Sequence, residues 1–73
     1  MSVENLIKMA NQIGQYFSTE SDPALAVKGV QQHLQNFWTP AMRREIKAWH
    51  EQNPGEELHA LVRAALAETT AQT

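Results

Sequence analysis

Three histidines, His33, His50 and His59, have the widest chemical repertoire of any residues in this 73-residue chain. An imidazole can ligate a metal or move a proton near neutral pH. A metal site would need a second ligand one helical turn away, or a matching set on a neighbouring helix. The three histidines fall on three different expected helices, and none has another histidine at i+3 or i+4. Glu56-x-x-His59 has the spacing of half a helical di-iron site, but such a site uses a second copy and two further carboxylates. No second copy exists, and Glu56, His59 and Arg63 fit equally an ordinary surface row with ion-pair potential. Nucleophilic catalysis has no support either. There is no Cys, the serines sit at expected caps, and no glycine-rich turn precedes a helix to hold phosphate. The expectation is a chain with no catalytic, metal or cofactor site of its own.

Rows of side chains suited to binding another macromolecule are more informative. At about 100° per residue, Arg43, Lys47 and His50 align along one flank of a helix. This row is either a solvated face or a basic strip that registers an acidic partner, and the guanidinium of Arg43 is its strongest recognition group. Ala26, Gly29 and His33 form a second row, of small residues and one polar ring. Glycine inside a helix costs about 1 kcal/mol relative to alanine, so Gly14 and Gly29 each call for a reason. Gly14 lies on an inner stripe and suits internal packing, whereas Gly29 is off-centre and could admit a partner. Met9 and Tyr16 share a side of their helix about 100° from its apolar stripe, and both are interface-type residues. Leu25 also points away from the expected core. Asn11 flanks the Ile7–Gly14 side, where its amide can bind a loop backbone of this chain or of a partner.

Helical elements must position these residues. Ser2 is a good N-cap, followed by Val3, Leu6, Ile7, Ala10, Ile13, Gly14 and Phe17 at helical spacing. Ser18-Thr19-Glu20-Ser21 breaks the pattern. Asp22-Pro23 starts a second helix, with Val27, Val30, Leu34 and Phe37 inward and Trp38 at the edge. Residue 39 precedes a proline, so that helix stops near Trp38. Thr39-Pro40 starts a third helix with Met42, Ile46 and Trp49 inward, ended by Asn53-Pro54-Gly55. A fourth begins near Glu56-Glu57, buries Leu58, Leu61, Val62 and Ala65, and frays into a tail over residues 69–73. The expected fold is all-α: a small compact bundle of four short helices, one domain over residues 1–68, with neighbours packed side by side.

Composition narrows the setting. A chain of this length buries only about 60–65% of its unfolded surface, so its core is marginal and a partner is a usual remedy. Without cysteine there are no disulfides, which fits a reducing compartment. No apolar run reaches a membrane span and no signal-peptide pattern is visible. A net charge of −2 gives no footprint for nucleic acid. The expectation is a cytoplasmic protein that contacts neither membrane nor nucleic acid.

Three blocks resemble a known family. They are Leu6-Ile7-Lys8-Met9-Ala10-Asn11-Gln12-Ile13 with Phe17; Gly29-Val30 with His33-Leu34 and Phe37-Trp38-Thr39-Pro40-Ala41-Met42-Arg43; and Leu58-His59-Ala60-Leu61-Val62 with Ala65-Leu66. In this order they are similar to the small delta subunit of NAD-dependent, molybdenum-containing formate dehydrogenases. Two positions depart from the family pattern: Ala41 stands where a basic residue is common, and Thr39 where an acidic cap is frequent. The resemblance implies an accessory subunit of a cytoplasmic complex, with the large catalytic alpha subunit as its main partner and the beta and gamma subunits nearby. In that family alpha oxidises formate at a molybdenum bis-pterin guanine dinucleotide centre. Beta and gamma pass electrons through flavin and iron–sulfur clusters to NAD. The delta subunit carries no known cofactor and is linked to assembly or stability of the holoenzyme and to cofactor insertion.

The partner-binding residues expected on the surface rows are Arg43, Lys47, His50, Gly29, His33, Met9, Tyr16 and Asn11. The residues alone also admit a general helical adaptor or regulatory module, homodimeric and unrelated to formate metabolism. A helix-turn-helix DNA binder is the weaker form of that alternative, given the acidic net charge.

Overall fold

The computed structural model describes residues 2–68, so the expected tail at 69–73 lies outside the described residues. Within them the chain forms four helices and no strand: α1 (Val3–Phe17), α2 (Pro23–Phe37), α3 (Pro40–Gln52) and α4 (Ala60–Glu68).

Local chemistry explains the first three starts. The Ser2 side chain accepts the Asn5 N–H at 3.3 Å, that of Asp22 accepts the Ala24 N–H at 3.0 Å, and that of Thr39 accepts the Met42 N–H at 3.2 Å. Each satisfies one of the donors that a helix start leaves without an intrahelical partner. Pro23 and Pro40 occupy first-turn positions, where a missing N–H costs nothing.

One apolar cluster joins all four helices. Leu6, Ala10 and Ile13 of α1 meet Val27, Val30 and Leu34 of α2, Ile46 of α3, and Val62, Ala65 and Leu66 of α4, with Leu58 and Trp38 from the connections. α1 is central and packs on each of the other three, while α2 packs most extensively on α4. Phe17 lies against Gly29 near one end of the α1–α2 pair, and Met9 shares a cleft with Phe37 near the other, so the two helices run antiparallel.

Two local expectations are corrected. Phe37, placed on the inner stripe by periodicity, is 72% exposed, whereas Trp38, placed at the edge, is buried at 5% exposure. The helix ends between them: Trp38 is the C-cap, with an extended backbone (φ −96°, ψ 144°), and that turn swings its ring inward. The 100° rule holds only while the backbone stays helical.

The second correction concerns α4, which begins at Ala60 and not near Glu56-Glu57. Asn11 of α1 causes the delay. Its Nδ2 donates to the Glu57 carbonyl at 2.9 Å and its Oδ1 accepts the His59 N–H at 2.8 Å. This clasp holds residues 57–59 outside the helix while Leu58, between them, is buried at 1% exposure.

Candidate functional site

Four of the singled-out residues serve the chain's own fold. Asn11 belongs to the clasp just described. Beside it, Gly14 makes room for His59: a Cβ on Gly14 would stand 2.7 Å from His59 Cβ and Cγ. The His59 ring then caps α4, with Nδ1 accepting the Leu61 N–H at 3.1 Å. A ring nitrogen that accepts from a backbone N–H carries no proton, so Nε2 holds the proton in this arrangement. Gly29 also has an internal reason. The Phe17 ring fills the space above it, and a Cβ there would lie 2.5 Å from Phe17 Cε1.

Arg43 turns back onto α2 instead of standing free along α3. Its Nη1 donates to the carbonyls of Leu34 at 3.2 Å, Gln35 at 3.2 Å and Trp38 at 2.7 Å. These carbonyls form the C-terminal end of α2, where a helix leaves acceptors unsatisfied and its dipole favours a cation. The family-like Phe37–Arg43 stretch is thus a helix junction tied by its own arginine. Lys47 and His50, the rest of that row, are half-buried on α3, and His50 Nδ1 is buried with no hydrogen-bond partner among the described residues.

Met9, Tyr16 and His33 come together elsewhere. They line an open groove of about 660 Å³ between α1 and the C-terminal half of α2, together with Gln12, Ile13, Phe17, Phe37 and Trp38. Ile13 and Trp38, both buried, form its floor. Aromatic rings run along it in sequence. Tyr16 and Phe17 pack edge to face at 5.0 Å, Phe17 and His33 at 6.4 Å, and His33 tilts over Phe37 at 4.7 Å. Such pairs are favourable beyond the area they bury, so the groove wall is pre-arranged. Yet Tyr16 and Phe37 remain 73% and 72% exposed.

Sequence reasoning missed Phe37 as a surface residue and Gln12 as a groove residue. Gln12 carried a usable signal, because it lies on the same side of α1 as Met9 and Tyr16. Phe37 carried none, because its exposure follows from where α2 ends.

Among the described residues, no three or more His, Cys, Asp or Glu side chains converge as a metal site would require. No helix there is long and apolar enough to cross a membrane.

Comparison with known families decides the assignment. Residues 5–66 match the family described as NADH-dependant formate dehydrogenase delta subunit FdsD. The chain belongs to this delta-subunit family. Searches of curated proteins and of solved structures returned no match. The matched span runs through all four helices and includes the Asn11 clasp, both packed glycines and the Arg43 junction. The three blocks that resemble the delta subunit therefore coincide largely with the residues that make this fold, and the groove lies within the same span.

Proposed function

We propose that the chain is a non-catalytic accessory subunit of the cytoplasmic NAD-dependent molybdenum formate dehydrogenase, docking on the large catalytic subunit and supporting assembly or stability of the holoenzyme. The observation that carries this reading is the family match across residues 5–66. The geometry supports it from two sides. His59 and Arg43 serve capping and helix-junction roles, and the apolar groove suits a macromolecular contact better than a small polar substrate.

The dinucleotide in the family's description does not fit this groove. Its phosphates call for cations or for free N–H groups at a glycine-rich helix start. Among the described residues the groove lining holds no Lys or Arg and no helix start. The apolar groove supports a reading in which electron transfer belongs to the other subunits and this chain binds one of them. A role in inserting the molybdenum cofactor into the catalytic subunit is the finer form of the same reading.

The test is co-purification with a tagged catalytic subunit at micromolar concentration. Stoichiometric association is expected, and catalytic subunit made without this chain is expected to hold less molybdenum or to melt earlier. No association, with the fold intact by circular dichroism, contradicts the reading.

A further inference from the structure

We propose that the α1–α2 groove receives the uncharged face of an amphipathic helix, about two turns long, from the partner subunit. This rests on the preceding reading for the existence of a partner and adds the surface and the chemistry it selects.

Isolated exposed apolar side chains are ordinary. Leu25, 54% exposed on the other side of α2, is one of these. Tyr16 and Phe37 differ, because they stand on either side of one groove whose floor is core.

Charge selects the occupant. Among the described residues, the groove lining contains no Asp, Glu, Lys or Arg. A charged side chain seated on Ile13 and Trp38 would lose its water and gain no counter-ion, which is strongly unfavourable. Aliphatic and aromatic side chains meet no such cost. Gln12 and His33 at the walls can orient a neutral backbone or amide by hydrogen bonding.

Area argues against a second copy of this chain. Tyr16 and Phe37, each about three-quarters exposed, together present roughly 200–350 Å². A standard stable interface buries about 800 Å² per partner. A self-paired patch of this size falls well short, whereas an inserted helix touches both walls and the floor as one part of a larger footprint.

Length sets the element. From Met9 to Tyr16 the α1 wall runs roughly 10 Å, or two helical turns. The furrow of an antiparallel helix pair accepts a third helix laid alongside, reading anchors at i, i+3 or i+4, and i+7.

The experiment compares wild type with Tyr16→Ser/Phe37→Ser for affinity to the tagged catalytic subunit, with thermal melting as the folding control. Expected is an affinity loss of about tenfold or more with melting lowered by only a few degrees. If wild type binds and the variant binds equally well, the groove proposal falls and the accessory-subunit reading stands. If wild type does not bind, both fall. Should the double variant misfold, Tyr16→Ser alone and a photo-crosslinker (p-benzoylphenylalanine at position 37) in the assembled complex decide. Adducts on an apolar helix face of the catalytic subunit support the proposal. Adducts on a charged loop, or on a second copy of this chain, overturn it.

Discussion

α1 presents two flanks on either side of its buried stripe. On one, Asn11 and Gly14 are fully engaged: the amide grips Glu57 and His59, and the missing Cβ admits the His59 ring. On the other, Met9, Gln12 and Tyr16 form the wall of a groove left open by the rest of the described chain. Asn11 and Tyr16 are five residues apart, about 140° around the helix. The engaged flank uses polar groups that fit one another in pairs. The open flank offers rings that pack among themselves and stop. Groups that complete a fold have partners with specific geometry, whereas groups held for an outside partner are pre-arranged and left wet.

Substitutions should separate the flanks, and the largest effect belongs to Asn11→Ala. It removes two hydrogen bonds and leaves the Glu57 carbonyl and His59 N–H without their partner, for a loss of about 2–4 kcal/mol. For a domain of this size that lowers Tm by roughly 10–20 °C. A drop of only a few degrees would mean the clasp is replaced readily by water.

Next comes Arg43→Ala, which takes a cation from the α2 C-terminus. A loss of about 2 kcal/mol in denaturant unfolding is expected. Loss of partner affinity with unchanged stability would instead return Arg43 to the interface.

The two packed glycines give a finer contrast. Gly14→Ala would press on the fixed Cβ of His59, so overpacking should exceed the helix-propensity gain by about 1–2 kcal/mol. Gly29→Ala meets only the ring of half-buried Phe17, which can rotate away. Its net effect should stay within about 1 kcal/mol of zero. Equal melting of the two variants would show that His59 is free to yield.

Smallest of all is Tyr16→Ser or Phe37→Ser, each giving up one exposed ring pair for about 0.5 kcal/mol.

Much of this architecture was legible because its causes are local. Ser2, Asp22-Pro23 and Thr39-Pro40 start their helices with groups two or three residues away, and sequence reading sees that far. The start of α4 was not legible, because a side chain 46 and 48 residues distant sets it. The Phe37–Trp38 exchange was hidden for a related reason. Periodicity assumes a continuing helix, and the residue that leaves the helix takes a new direction. Of the groove, Met9 and Tyr16 were visible as off-stripe apolar residues. His33 belongs by spacing to the Ala26–Gly29 row, and only the antiparallel pairing of α1 with α2 brings it and Phe37 opposite them.

The central claim is that stability and docking lie on opposite flanks of α1. The direct measurement is the affinity of Tyr16→Ser/Phe37→Ser and of wild type for the catalytic subunit, with Tm recorded on the same samples. About tenfold or weaker binding by the variant is expected, with Tm lowered by only a few degrees. Undiminished binding by the variant, or a Tm loss as large as that of Asn11→Ala, would contradict that claim.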